Sequence, residues 1–100
     1  MEYTAVLDGV ELARSADTVK VEGNHYFPIE SVDRDLLQPS RSHTVCLWKG
    51  IASYYSITVG GVTIPNAAWY YPRPLPFARR VKGRVAFWNG VRVEPVGTAK

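Results

Sequence analysis

The chain has 100 residues, the length of one domain, and folding at that size buries about two thirds of the unfolded surface, so a single domain is expected over these residues. Hydrophobic residues make up 46% of it, with three Trp, six Tyr and three Phe, which is too apolar for intrinsic disorder. The net charge is only +3, so a nucleic-acid footprint requires clustered basic residues, and a single cysteine excludes an internal disulfide or a multi-cysteine zinc site.

In chain order, Tyr3 to Leu7, then Asp8-Gly9, then Val10 to Arg14 predict a hairpin, because Asp-Gly readily supplies the positive φ angles of a type I′ turn. The register predicted there sets Leu7 opposite Val10, Val6 opposite Glu11, Ala5 opposite Leu12 and Thr4 opposite Ala13. Thr18 to Val21 alternates as a short strand, and Asn24 to Pro28 resumes extended backbone after Gly23. Ile29 to Leu37 predicts a short helix after Pro28, with Ile29, Val32, Leu36 and Leu37 on one side and an end before Pro39. Gly60-Gly61 predicts a second hairpin, with Val59 opposite Val62, Thr58 opposite Thr63, Ile57 opposite Ile64 and Ser56 opposite Pro65. Pro72 to Pro76 must be an extended loop, and Phe77 to Val81 a helical turn stopped by Gly83. Asn89-Gly90 predicts a third hairpin, with Trp88 opposite Val91, Phe87 opposite Arg92 and Ala86 opposite Val93. Each register gathers apolar side chains on one face, which a slip of one residue would scramble. The expectation is a mainly β, tent-like or sandwich-like domain of antiparallel hairpins with one or two short helical turns.

Glu2, Asp8 and Glu11 interrupt the apolar residues at the start of the chain, where no basic n-region precedes an apolar h-region. No apolar run approaches the length that spans a bilayer. Together with the lone Cys46, these features predict a cytoplasmic protein with no membrane partner.

Little in the chain points to catalysis. Cys46 is a candidate nucleophile, with His43 and Lys49 near in sequence to stabilise a thiolate, although a free cysteine commonly serves as a small buried hydrophobe. His25, His43 and Cys46 match no metal-ligand spacing, so neither metal nor cofactor is expected. Asp33 and Asp35 are spaced like the paired carboxylates that hold a divalent cation from a strand, but in the helix expected there they point apart. Phosphate-cradle and nucleophile-elbow motifs are absent.

Two clusters stand out. Arg79, Arg80, Lys82 and Arg84 crowd four positive charges into six residues, near Arg73 and a run of aromatics, a composition that can bind nucleic acid or an acidic partner. Tyr26, Trp48, Lys49, Tyr54, Tyr55, Asn66, Trp69, Tyr70 and Tyr71 combine apolar bodies with polar tips, as the wall of a small-ligand cleft requires, although large aromatics also fill β cores.

The ordered segments Tyr26-Phe27-Pro28, Thr44 to Gly50, Ala52 to Tyr55, Asn66 to Pro72 and Gly83 to Phe87 resemble the family called domain of unknown function 427 over nearly the whole chain. The resemblance implies a small bacterial or fungal protein with a β-rich, Mss4-like or β-tent fold. The family has at times carried a nucleotidyltransferase label, for which these residues offer no support. Mss4-like relatives often hold zinc through paired Cys-x-x-Cys knuckles, which one cysteine cannot form. Members usually read Cys-Pro-aromatic-Lys-Gly, whereas Leu47 stands in the proline position here and restores a backbone N–H before Trp48.

Three functions are then open. The first is binding of an unidentified small polar molecule, planar or anionic, by Tyr26, Trp48, Tyr55 and Trp69 as walls with Lys49, Asn66 and Arg73 supplying charge and hydrogen bonds. The second is a Cys46-dependent redox or transferase enzyme. The third is nucleic-acid or acidic-partner binding through the basic run.

Overall fold

The computed structural model describes residues 1–96 as nine antiparallel strands joined by tight turns and short 3-10 segments. The strands are β1 Tyr3–Leu7, β2 Val10–Ser15, β3 Val19–Val21, β4 Asn24–Pro28, β5 Leu37–Cys46, β6 Gly50–Val59, β7 Val62–Tyr70, β8 Arg84–Phe87 and β9 Arg92–Pro95. They form a three-stranded sheet in the order β2-β1-β9 and a six-stranded sheet in the order β3-β4-β8-β7-β6-β5. Among the described residues no helix is long and apolar enough to cross a membrane.

Strand alternation gives the larger sheet two different faces. Phe27, Ile57, Ala68, Val85 and Phe87 point to one side and join Ala5, Leu7, Leu12 and Ala13 of the smaller sheet in a common core. Phe27 and Phe87 meet edge to face there, 5.7 Å between centroids. Tyr26, Ala52 and Ala86 point to the other side, where the 3-10 segment Pro76–Val81 covers them with Ala78 and Val81. That segment is short, so the second face is only partly roofed.

The turns follow the sequence at their tips and depart from it further along. At the first hairpin Leu7 pairs Val10 and Val6 pairs Glu11 as expected, but Ala5 then faces Ala13 and Thr4 faces Arg14. Leu12 is the extra residue of a β-bulge, which buries Leu12 and Ala13 together instead of alternating them. At Gly60-Gly61 the pairs Val59–Val62, Thr58–Thr63 and Ile57–Ile64 form as expected, whereas Ser56 does not pair Pro65 because the register jumps to Tyr55 opposite Ala68. The strand β5 has its own register break between Pro39 and His43. The two irregularities therefore flank the same stretch of β6.

Two expectations are overturned. Asn89-Gly90 is a tight turn, with Val91 N–H donating to the Trp88 carbonyl, yet it joins no hairpin. The strand β8 pairs β4 and β7, while β9 crosses to the other sheet and pairs β1, setting Val93 opposite Ala5. A turn tip encodes local chain reversal but not which sheet receives the next strand. The helix expected over Ile29 to Leu37 is instead two 3-10 turns, Ile29–Ser31 and Arg34–Leu36, separated by Val32 in extended conformation. Val32 bridges Ala13 and the Asp33 N–H donates to the Leu12 carbonyl, so bonds to β2 replace an α-helical ladder. The apolar side assigned to this segment still faces inward, with Val32 buried and Ile29, Leu36 and Leu37 against the core. The helical turn expected over Phe77 to Val81 forms as a 3-10 segment that starts one residue earlier, at Pro76, and the proline loop before it lies outside the strands as expected but bends at Pro72 and Arg73.

Candidate functional site

The partly roofed face of the six-stranded sheet holds a cleft of about 320 Å³ lined by Asn24, Lys49, Tyr54, Trp69, Tyr71 and Trp88. Parity explains its aromatic wall: Tyr54 of β6, Trp69 of β7 and Ala86 of β8 are successive cross-strand partners, and Trp88 continues the same face just beyond β8. Trp69 packs edge to face against Trp88 at 5.7 Å and against Tyr26 at 6.2 Å. Tyr26 itself is fully buried and its hydroxyl accepts a 3.1 Å hydrogen bond from Trp69 Nε1. It is thus the support beneath the cleft, orienting the indole above it. Burial pushes the Tyr26 phenol above the ordinary tyrosine range, with the Trp69 bond partly opposing, so it is neutral at physiological pH.

Lys49 is only 7% exposed, although it is a lysine in the turn between β5 and β6. Its ammonium lies 5.6 Å from the centre of the Trp48 ring and 5.4 Å from that of Tyr71, and both distances suit cation–π attraction. The same ammonium donates to Oε1 of Glu22, whose Oε2 accepts from Trp48 Nε1 at 3.3 Å. Burial acts to lower the Lys49 pKa, but the bond to Glu22 outweighs it and holds the group above the usual lysine value. A permanent cation therefore stands at one end of an aromatic wall. Burial also raises the Tyr71 phenol, partly countered by Lys49.

The remaining sequence-selected residues are distributed around this centre. Trp48 flanks Lys49 and is 40% exposed. Tyr55 points to the opposite face from Tyr54, stacks on Tyr70 at 4.7 Å, and lines a second cleft of about 290 Å³ with Lys82 and Arg84. Asn66 sits in the β7 irregularity at φ 52°, where its side chain bonds Ser40 and Ser42 and its N–H donates to Ser56 Oγ. Its carbonyl accepts from Trp88 Nε1, so Asn66 acts on the cleft by holding Trp88 in place. Arg73 lies exposed in the proline loop and is not among the cleft residues.

Asn24 and Glu22 carry no functional signal in the sequence, and Trp88 stands out there only as an aromatic near the basic run, not as a wall of this cleft. Glu22-Gly23 reads as a turn only when Glu is allowed a positive φ, and the sequence places Trp88 in a hairpin that does not form.

Cys46, the candidate nucleophile, closes β5 and packs, half-buried, on the apolar cluster of Tyr26, Ala52 and Tyr71. His25 stacks on Tyr3 and its Nδ1 meets Thr18 Oγ1, while His43 Nδ1 meets Ser53 Oγ. Among the described residues no three His, Cys, Asp or Glu side chains gather where a metal ion could be held. The Asp33 side chain accepts from the Asp35 N–H, capping a 3-10 turn. The basic run is divided: Arg84 is held by Asp17, Lys82 borders the second cleft, and Arg79 and Arg80 are exposed on the 3-10 segment.

Residues 2–97 match the family described as a domain of unknown function, DUF427. The chain belongs to the DUF427 family. A comparison with curated proteins finds no match. The segments that carry the DUF427 resemblance in the sequence supply most of the cleft: Lys49 at its charged end, Tyr54 from β6, and Trp69 and Tyr71 around the end of β7, whereas Trp48 lies beside Lys49 outside the lining.

Proposed function

We propose that this DUF427 protein binds a small planar ligand carrying a negative charge in the cleft bounded by Asn24, Lys49, Tyr54, Trp69, Tyr71 and Trp88. The supporting observation is the position of Lys49, a nearly buried ammonium set between aromatic rings at the edge of an open aromatic wall. Aromatic faces and edges offer a planar molecule dispersion and stacking, and the fixed cation selects its charge and orientation. A site of about 320 Å³ is at the small end of the range for ligand pockets. The lone cysteine supports action in a reducing compartment, the cytoplasm.

The test is a thermal-shift screen of planar aromatic acids, followed by amide chemical-shift mapping of those that stabilise the protein. At a hundred times its Kd a ligand should raise stability by about 2.7 kcal/mol. Perturbations should centre on Asn24, Lys49, Tyr54, Trp69, Tyr71 and Trp88. Shifts confined to the basic residues Arg79 to Arg84, or to the surroundings of Cys46, would instead support one of the other two functions.

A further inference from the structure

Glu22 occupies a backbone position that its residue type disfavours. It has φ 53° at the tip of the hairpin between β3 and β4, followed by Gly23 at φ 81°. Among the described residues the other non-glycine residues with positive φ are Asp8, Asn66 and Asn89, the short polar types that tolerate the left-handed region. Asn would serve a type I′ turn at position 22 better than Glu does. The side chain, rather than the turn, accounts for Glu at this position.

That side chain reaches out of its own hairpin to the turn between β5 and β6. One carboxylate oxygen meets the Lys49 ammonium and the other meets Trp48 Nε1. The two donors converge on a planar monoanion, one donor per oxygen. The partners differ sharply in freedom: the Lys49 side chain is 9% exposed and that of Glu22 is 50% exposed. The ammonium is fixed between rings, whereas the carboxylate can swing into solvent without moving the backbone.

We infer that Glu22 is an internal stand-in for the carboxylate of the ligand: Trp48 Nε1 and Lys49 Nζ form the carboxylate subsite of the cleft, and Glu22 fills it until an aromatic carboxylate displaces it. This inference rests on the ligand-binding reading above and names the charged group of that ligand. Displacement keeps the ammonium paired throughout, which avoids the cost of leaving a nearly buried charge without a partner. It also makes affinity a difference between two carboxylates competing for the same donors. Removing the internal competitor should therefore tighten binding of an acid and leave binding of its neutral counterpart unchanged.

The experiment compares indole-3-carboxylate with indole-3-carboxamide by calorimetric titration on the wild type, on Glu22→Asn, which suits the turn but is too short to reach Lys49, and on Glu22→Ala as a second variant. Circular dichroism and urea unfolding confirm that each is folded. The expected result is a carboxylate Kd at least tenfold lower in both variants than in the wild type, with the carboxamide Kd changed less than twofold. Binding of both probes with no gain for the carboxylate in either folded variant overturns the stand-in role and leaves the cleft standing. Failure of both probes to bind any of the three folded proteins overturns the stand-in role together with the ligand-binding reading beneath it.

Discussion

Adjacent aromatic residues in this chain do different work because neighbouring positions on a strand face opposite ways. Tyr26 lies under the cleft and Phe27 fills the core between the sheets; Tyr54 lines the cleft and Tyr55 stacks on Tyr70 on the far side. The chemistry concentrates at Glu22, Trp48 and Lys49. The hydrogen bond from Lys49, aided by that from Trp48 and opposed by desolvation, holds the Glu22 carboxyl below the usual glutamate range. A carboxyl with a folded pKa below its unfolded value is protonated later in the native state, so the unfolded chain takes up the proton first as pH falls. The contribution is present above the ordinary glutamate pKa of about 4.3 and is lost as pH drops through the depressed value. Urea midpoints followed from about pH 6 to about pH 3 should therefore fall more steeply for the wild type than for Glu22→Asn. Parallel curves would show that the ion pair contributes nothing to folding.

At the scale of elements, irregularities rather than regular ladder decide where the cleft residues sit. The bulge at Leu12 buries two successive residues of β2, and the offset at Asn66 turns a backbone carbonyl toward Trp88. Gly50 has a comparable role at the start of β6. It adopts φ 116°, and a Cβ there would lie 3.2 Å from the Arg73 carbonyl oxygen, because the proline loop packs directly on it. The Leu75 N–H donates to the Lys49 carbonyl at 2.9 Å, fastening the same loop beside the cleft lysine. Replacing Gly50 by Ala should cost about 2–3 kcal/mol, from backbone strain and the contact with the loop. Gly60→Ala, at φ 60° with open space around the added Cβ, should cost about 1 kcal/mol. Equal urea midpoints for the two variants would mean that the proline loop yields freely.

Across the whole molecule the six-stranded sheet separates the apolar core from the face that carries the aromatic cleft. Its inner side packs on the three-stranded sheet except near Tyr55 and Tyr70, where the second cleft opens, and its outer side is covered only as far as the 3-10 segment Pro76–Val81 reaches. The two sides should respond differently to truncation. Phe27→Ala, which empties a fully buried position against Phe87, should lower stability by about 3–5 kcal/mol in urea unfolding. Trp88→Ala, at a residue 49% exposed on the outer side, should leave the unfolding midpoint within about 1 kcal/mol of the wild type while weakening planar ligands. A larger loss for Trp88→Ala than for Phe27→Ala would reverse the assignment of the two faces.

The sequence by itself determined the class of structure and the registers next to the turns. Alternating apolar residues and the dipeptides Asp8-Gly9 and Gly60-Gly61 act over a few residues, where backbone sterics and the two-residue period suffice. It also marked Trp48, Lys49 and Trp69 as a group combining charge with aromatic surface. Tertiary structure alone decided that β9 leaves its local partner for β1, that Trp69 of β7 faces Tyr54 past the offset at Asn66, and that Glu22 meets Lys49. These outcomes depend on which sheet can bury Val93, on bulges that re-phase a strand, and on a contact between residues 27 positions apart. The aromatic and basic cleft was legible as a composition; its floor, its rim and its charged pair came from packing.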